Sequence, residues 1–433
     1  MPDGRLTRRV AGTLSARLPE LHLEQVPDPR DERGRKWSLA TMLEATATGI
    51  MAGCQSLADV EHLTDEMSLP MRRQLGLARR LPDTTLRDAL VAVDPQELRR
   101  PLWRQAKAAQ RRKALQPFRL PFGVVAMDGK GTAATAWDDE YAQRQPHSVG
   151  LGASGIVRTM TCTLVSSRVK VCLDAIPIPA DTNEMGHFAA GFTSLWQVYG
   201  ESELLKLVTY DSGGTSKANA DLVRHHGLHY LLRLDAQQPT LYREARRLLH
   251  QLPVSAAVHF TEDVTGTGTE RRYLFVTEEM AGYYGWDHLQ TVVRVHSVKR
   301  DRAGKLIPQK AHQQDRYYLC SLPRGRLNAE QWLYLVRQHW GVENGTHNLL
   351  DKFLEEDQHP FIESDAKGML NVMLLRRMAL NALALFRGVT QRDEVKRLTP
   401  WRDVIRWVYN TLIAATDRHL EGLRSREALT PVT

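Results

Sequence analysis

From Trp37 to about Gln116 the apolar residues recur with a helical period. Leu39, Met42, Leu43, Ala47 and Ile50 fall at i, i+3, i+4, i+8 and i+11, and several later segments repeat the pattern. The phrase LPDTTLRDAL marks a helix start, where Asp83 or Thr84 can cap the free N–H groups of the turn that follows. Residues 1–35 are charged and punctuated by Pro27 and Pro29, and read as an arm or loop. The chain thus opens with an all-helical domain over residues 1–120.

At Pro121 the period shortens. FGVVAMD (122–128) reads as a buried strand closed by Gly129, and IVRTMTCTLV (156–165) and VKVCLDAI (169–176) as two strands joined by the turn SSR. A helix over about 184–199, the strand LLKLVTY (204–210), a helix over about 216–226 and the strand LHYLLRL (228–234) complete the series. Three strands in a meander, followed by strands added through helical crossovers, give an α/β fold: a mixed sheet flanked by helices. That order fits a ribonuclease H-like core, placed over 121–239. Residues 240–328 hold runs such as RRYLFV and LQTVVRVHSV with few helical stretches, and read as a β-rich insertion. Helical periodicity returns over 329–433, the final part of the core.

Composition changes this picture little. About 42% of the 433 residues are apolar and 25% charged, ordinary for a globular chain. The four cysteines, Cys54, Cys162, Cys172 and Cys320, are scattered without a C-x-x-C pair, so neither a disulfide framework nor a zinc site is expected. No uninterrupted apolar run approaches the roughly 20 residues of a membrane span, and no secretory signal is visible at the N-terminus. The expected location is the cytoplasm, with no membrane partner.

Charge adds more. The net charge is +8, and between Ser68 and Leu120 there are 13 Lys and Arg against 4 Asp and Glu. That stretch therefore holds the whole positive excess, and the remainder of the chain is close to neutral. Arg79, Arg80, Arg111 and Arg112 are candidates to grip DNA phosphates, and a set of solvated helix faces explains the same charges equally well.

Three acids carry the candidate chemistry. Asp128 ends one apolar strand (VVAMDGKG), Asp211 ends another (LVTYDSGG), and Glu343 lies on the helix after the insertion (RQHWGVENGTHNLL). Taken singly, each Asp reads as a turn residue and the Glu as a solvated helix residue. Taken together, they follow the first strand, the fourth strand and the insertion, positions that converge on one edge of a ribonuclease H-like sheet, where strand ends meet ligands. Three carboxylates suit Mg²⁺, with Mn²⁺ as a substitute. Two such ions roughly 4 Å apart serve in-line phosphodiester displacement.

Competing motifs fail their contexts. Gly150, Gly152 and Gly155 spell G-x-G-x-x-G without a preceding strand or a following helix, and DSGGTSK lacks phosphate-loop spacing. His339 and His347 flank Glu343 without H-E-x-x-H, and His225-His226 reads as surface.

At these residues the sequence resembles bacterial insertion-sequence transposases of the ISAs type, which include the H-repeat-associated proteins. The resemblance rests on DPRDERGRKWSLATML, MDGK, TNEM (182–185), VTYDSGG, HYLLRLDAQQ (229–238) and HWGVENGTHNLLDKFLEED (339–357), in the family's order. It implies a DDE transposase with a ribonuclease H-like core and a β-strand insertion. Asp128, Asp211 and Glu343 would be the catalytic metal ligands. The implied partners are double-stranded DNA, as terminal inverted repeats and target, and a second copy of the chain. In broader relatives the glutamate helix carries Tyr, Arg and Lys where this chain has Val336, His339 and Leu350, so Arg337 or His339 would stand in at the phosphates. Lys130 follows the first acid and is a further DNA candidate. Trp286, in the insertion, reads either as a base-stacking residue or as core. Two other function classes remain: a domesticated DNA-binding remnant, and a metal-dependent nuclease that does not join strands.

Overall fold

A computed structural model describes residues 4–137, 139–145, 155–310, 314–391 and 393–423. Of the G-x-G-x-x-G spelling, Gly150 and Gly152 lie outside them.

The strands are β1 (Val124–Ala134), β2 (Ala142–Arg144), β3 (Gly155–Leu164), β4 (Val171–Ile178), β5 (Leu207–Tyr210), β6 (His229–Leu234), β7 (His259–Thr265), β8 (Gly268–Thr277), β9 (Thr291–Asp301) and β10 (Asp315–Cys320). Among the described residues they form one ten-stranded mixed sheet. Its order is β2-β3-β1-β5-β6-β10-β9-β8-β7, with β4 on β3. β1, β3 and β4 pair antiparallel, whereas β5 runs parallel to both β1 and β6. The crossovers into β5 and β6 are the helices Phe188–Tyr199 and Lys217–His225.

β1 runs past the expected stop at Gly129 to Ala134, with Gly129 opposite Met160 and Gly131 opposite Arg158. Glycine suits position 129 because a methyl group there would overlap the Glu184 side chain. The insertion opens with a helix, Pro239–Leu249. Its four strands then extend the main sheet, with β10 pairing antiparallel to β6.

Alternation along β1, β5 and β6 separates two cores. Val124, Ala126, Leu207 and Leu231 pack with Trp332, Leu333, Leu335 and Val336 of the helix Ala329–Gln338. Val125, Met127, Val208 and Leu232 turn the other way, onto Phe188, Phe192 and Val223. Asp128 and Asp211 continue the first set, so they belong to the face that the Ala329–Gln338 helix covers.

Residues 1–35 depart from the expected arm. Gly4–Arg17 is a helix burying Thr7, Val10, Ala11 and Leu14, which packs on the helix Trp401–Ala414. Short turns at Leu18–Leu21, Leu23–Gln25 and Glu32–Gly34 follow. Leu39, Met42, Leu43, Ala47 and Ile50 are all buried on the helix Leu39–Met51. The helix at LPDTTLRDAL spans Asp83–Ala92, and the residue at its N-cap is Pro82 rather than Asp83 or Thr84. These helices share an apolar core with Leu374, Leu375, Met378, Val404 and Val408 from the far end of the chain.

The stretch Ala366–Thr390 is long and apolar enough to cross a membrane, but its apolar window is wholly buried in the protein. Arg376 and Arg377 interrupt its apolar text, which is why no uninterrupted run is visible in the sequence. Arg377 is paired with Glu356, both fully buried.

Candidate active site

Asp128 and Asp211 are side by side. The parallel register joins Ala126 of β1 to Thr209 of β5, and each acid is two residues further along the chain, Asp128 within β1 and Asp211 just past the end of β5. Neighbouring strands run about 4.8 Å apart, and an even step keeps the side chains on one face. Asp128 faces Thr161 across β3. Ser212–Gly214 turns the chain away directly after Asp211, and a methyl at Gly214 would overlap the Tyr210 ring.

Glu343 reaches this edge from the covering helix. That helix starts at Ala329 under an Asn328 capping box and ends at Gln338. A π-helical turn, Val342–His347, then carries the acid. Such wide turns interrupt α-helices mostly at functional sites. Two histidines four residues either side of Glu343 mark how the turn sits. His339 Nε2 lies 4.0 Å from Asp211 Oδ1, and His347 Nδ1 lies 3.4 Å from Asp128 Oδ2. The helix therefore runs from the end of β5 across β1, with Glu343 between its two anchoring contacts.

Electrostatics records the same proximity. Although Glu343 is exposed, loss of water around it, followed by the charges of Asp128 and Asp211, pushes its carboxyl up to about 7. Burial holds His339 down at about 4, against the pull of Asp211 and Asp128. Its imidazole is thus neutral at pH 7, with Nδ1 3.0 Å from Thr209 Oγ1. Arg233 of β6 donates to Asp211 Oδ1 at 3.3 Å. The guanidinium groups of Arg233 and Arg316 also lie 5.4 and 5.3 Å from the Trp340 ring centre.

The donor set suits a hard divalent cation: three carboxylates, with Asp128 and Asp211 raising the proton affinity of Glu343. The ring Nε2 of His347 is buried without a hydrogen-bond partner. Among the described residues, however, no three His, Cys, Asp or Glu side chains already form a group able to hold a metal ion. The acids are near enough to repel, and short of a closed coordination set.

The remaining candidates scatter. Lys130, expected at DNA, is only 6% exposed and bonds Asp351 and Asp357 at 2.7 and 2.9 Å, while Thr132 donates to Asp357. It ties the end of the glutamate helix to β1, so it positions Glu343 relative to Asp128. Trp286 is buried at 4% exposure, against the loop and helices of the insertion, and cannot stack on a base from there. His339 is buried at the acids rather than turned to solvent. Arg337 is partly exposed and paired with Asp263. Arg79, Arg80, Arg111 and Arg112 are exposed. Arg79 lies over Trp37, Arg80 pairs with Glu61 and Arg112 with Glu20. Sequence reasoning weighed His347 only as part of a failed zinc motif, and passed over Thr209, Arg233 and Arg316. Only His347 carried a readable signal, its spacing of four from Glu343.

Crowded acids cost stability, and the sign of the effect is definite. The folded Glu343 carboxyl titrates near 7 against an ordinary 4.5, so the folded state binds the extra proton between those values. Stability of the metal-free protein should fall as pH rises through that window and stay at the lower level above it. Solvent exposure reduces the contribution to about 1 kcal/mol. Thermal melts in EDTA at pH 8 should therefore show Glu343→Gln slightly more stable than the parent. An equal or lower melting temperature would contradict the crowding.

The comparisons with known proteins agree on one class. Residues 21–104 match the family described as DDE_Tnp_1-associated, and the match falls within the N-terminal helices. Together with a relative matched over most of its length, it makes the chain similar to DDE-type insertion-sequence transposases. That relative is the protein named "Putative transposase YncI" from Escherichia coli O157:H7. The chain is 21% identical to it over 377 residues, covering 84% of this chain and 86% of that protein.

Proposed function

We propose that the chain cuts the ends of a DNA element and joins them to target DNA, through a ribonuclease H-like core in which Asp128, Asp211 and Glu343 hold Mg²⁺ or Mn²⁺. What supports this reading is that Asp128 and Asp211 lie on one face of the neighbouring strands β1 and β5, while Glu343 sits on a turn whose His339 and His347 lie 4.0 Å from Asp211 and 3.4 Å from Asp128. The strand order β4-β3-β1-β5-β6, with β5 and β6 added in parallel, supports the core assignment. The resemblance to transposases supplies the substrate class.

Each residue then has a distinct task. Asp128 and Asp211 present oxygens from adjacent rigid strands, and Glu343 adds a third from above. Arg233 holds Asp211 by one oxygen and leaves the other free. Neutral His339 fills the space behind Asp211 without adding a competing charge. Lys130 fixes the glutamate helix through Asp351 and Asp357. A bound divalent cation supplies Lewis-acid activation of the attacking oxygen and stabilisation of the leaving one. The same site serves cleavage with water and joining with a 3′-hydroxyl. The DNA partners are the element's terminal inverted repeats and a target duplex, brought together by two copies of the chain.

The test is an incubation with DNA carrying the element's own ends, a target plasmid and Mg²⁺. Joined products are expected. Cutting without joining would make the protein a nuclease, and end binding alone would make it a remnant that has lost catalysis.

A further inference from the structure

Beside the Glu343 turn lies a cavity of about 270 Å³. One wall is the β3–β4 connection with Arg168 and Lys170, another is Asn344, Gly345 and Thr346 of the π-helical turn, and Arg387 and Trp401 close the far side. Three of its lining side chains are cationic, and none of those described is acidic. The cations are incompletely satisfied. Arg168 lies over the Phe118 ring, and its one ion pair among the described residues is a 3.9 Å contact with the exposed Glu394. Arg387 stacks on Trp401 and donates to the Thr399 carbonyl. Lys170 makes no hydrogen bond or ion pair among the described residues, and burial together with nearby Arg337 lowers its proton affinity.

The backbone has been cleared for Lys170. Its stem runs under the turn that bears Glu343, between the two glycines that flank the acid. A Cβ on Gly341 would lie 3.0 Å from Lys170 Nζ, and one on Gly345 would lie 3.2 Å from its Cδ. A half-buried ammonium without a counter-charge is costly unless an anion arrives. Here the arriving anion would sit next to the catalytic turn.

We propose that this cavity is a pocket for a backbone phosphate of the DNA strand that enters the catalytic site, with Lys170 as its main contact and Arg168 at its mouth. The proposal rests on the reading of DNA as substrate and adds where one strand is held. Phosphate capture here places the adjoining nucleotides alongside Glu343 and restores charge balance to Lys170.

The test is equilibrium binding of a short fluorescein-labelled single strand to the full chain in EDTA, across about 50–200 mM salt. Lys170→Gln is expected to bind about tenfold more weakly at the low-salt end and to flatten the log–log salt slope by about 0.7, one phosphate contact on a single strand. Lys170→Arg should restore both. Arg168→Gln, at an exposed position that folding does not depend on, should show a smaller loss in the same direction. A folded Lys170→Gln with the parent's affinity and slope would overturn the proposal, as would an unchanged Arg168→Gln if Lys170→Gln does not fold. Inorganic phosphate alone forms the second arm. A micromolar phosphate complex, lost in Lys170→Gln while strand binding stays intact, would assign the pocket to a free anion instead. Catalysis is absent from the readout, so failure here leaves the roles of the three acids standing, and failure of the cleavage assay leaves this pocket standing.

Discussion

Asp128→Ala, Asp211→Ala and Glu343→Gln are each expected to lower strand cleavage at element ends by at least about a thousandfold, roughly 4 kcal/mol of barrier, while end binding changes little. On the proposed reading the loss is large because the three oxygens would act as one unit. Two neighbouring strands and one helical turn would present them to the same cation, and two acids would not hold it in place of three. Binding is spared because these are acids, which repel phosphates when no metal is present. Glu343→Gln is the most informative of the three, since it keeps the side-chain shape and removes only the charge. Cleavage at a near-parental rate by any one variant would remove that residue from the site.

Asp174→Ala is expected to destabilise the fold by about 3–5 kcal/mol, the cost of stranding a buried charge. Asp174 is fully buried on β4 and accepts two bonds from Arg99, at 3.0 and 2.6 Å, and Ser194 and Gln96 complete the guanidinium's bonding. Arg99 belongs to the helix Pro95–Arg111, so this pair couples the N-terminal helices to the sheet that carries Asp128. Urea denaturation provides the check. A loss below about 1 kcal/mol would mean that water reaches the orphaned arginine. A double variant with apolar residues at both positions should recover much of the loss, because it leaves no charge unpaired.

Both predictions depend on contacts that are unequally visible in the sequence. The acids were legible because apolar strand text stops at Asp128 and Asp211, and because the helix period resumes before Glu343. β1 proved longer than its text implied, since GKGTAA lacks the alternation of a half-buried strand and owes its extension to pairing with β3. The membership of β7–β10 in the main sheet could not be read, because strand pairing between distant segments leaves no local trace. The helix Gly4–Arg17 was lost for a related reason: its apolar face is narrow and its partner helix begins at Trp401. The burial of Lys130 depended on Asp351 and Asp357, more than two hundred residues away. The wide turn at Val342–His347 has no sequence signature of its own. His347 did have one, four residues from the acid it accompanies.

The most direct test is a crystal structure of the chain soaked in Mn²⁺, read by anomalous difference density. Density between the carboxylates of Asp128, Asp211 and Glu343, with all three in its shell, is the predicted result. Density elsewhere, or carboxylates that remain apart in saturating Mn²⁺ with DNA bound, would contradict the account.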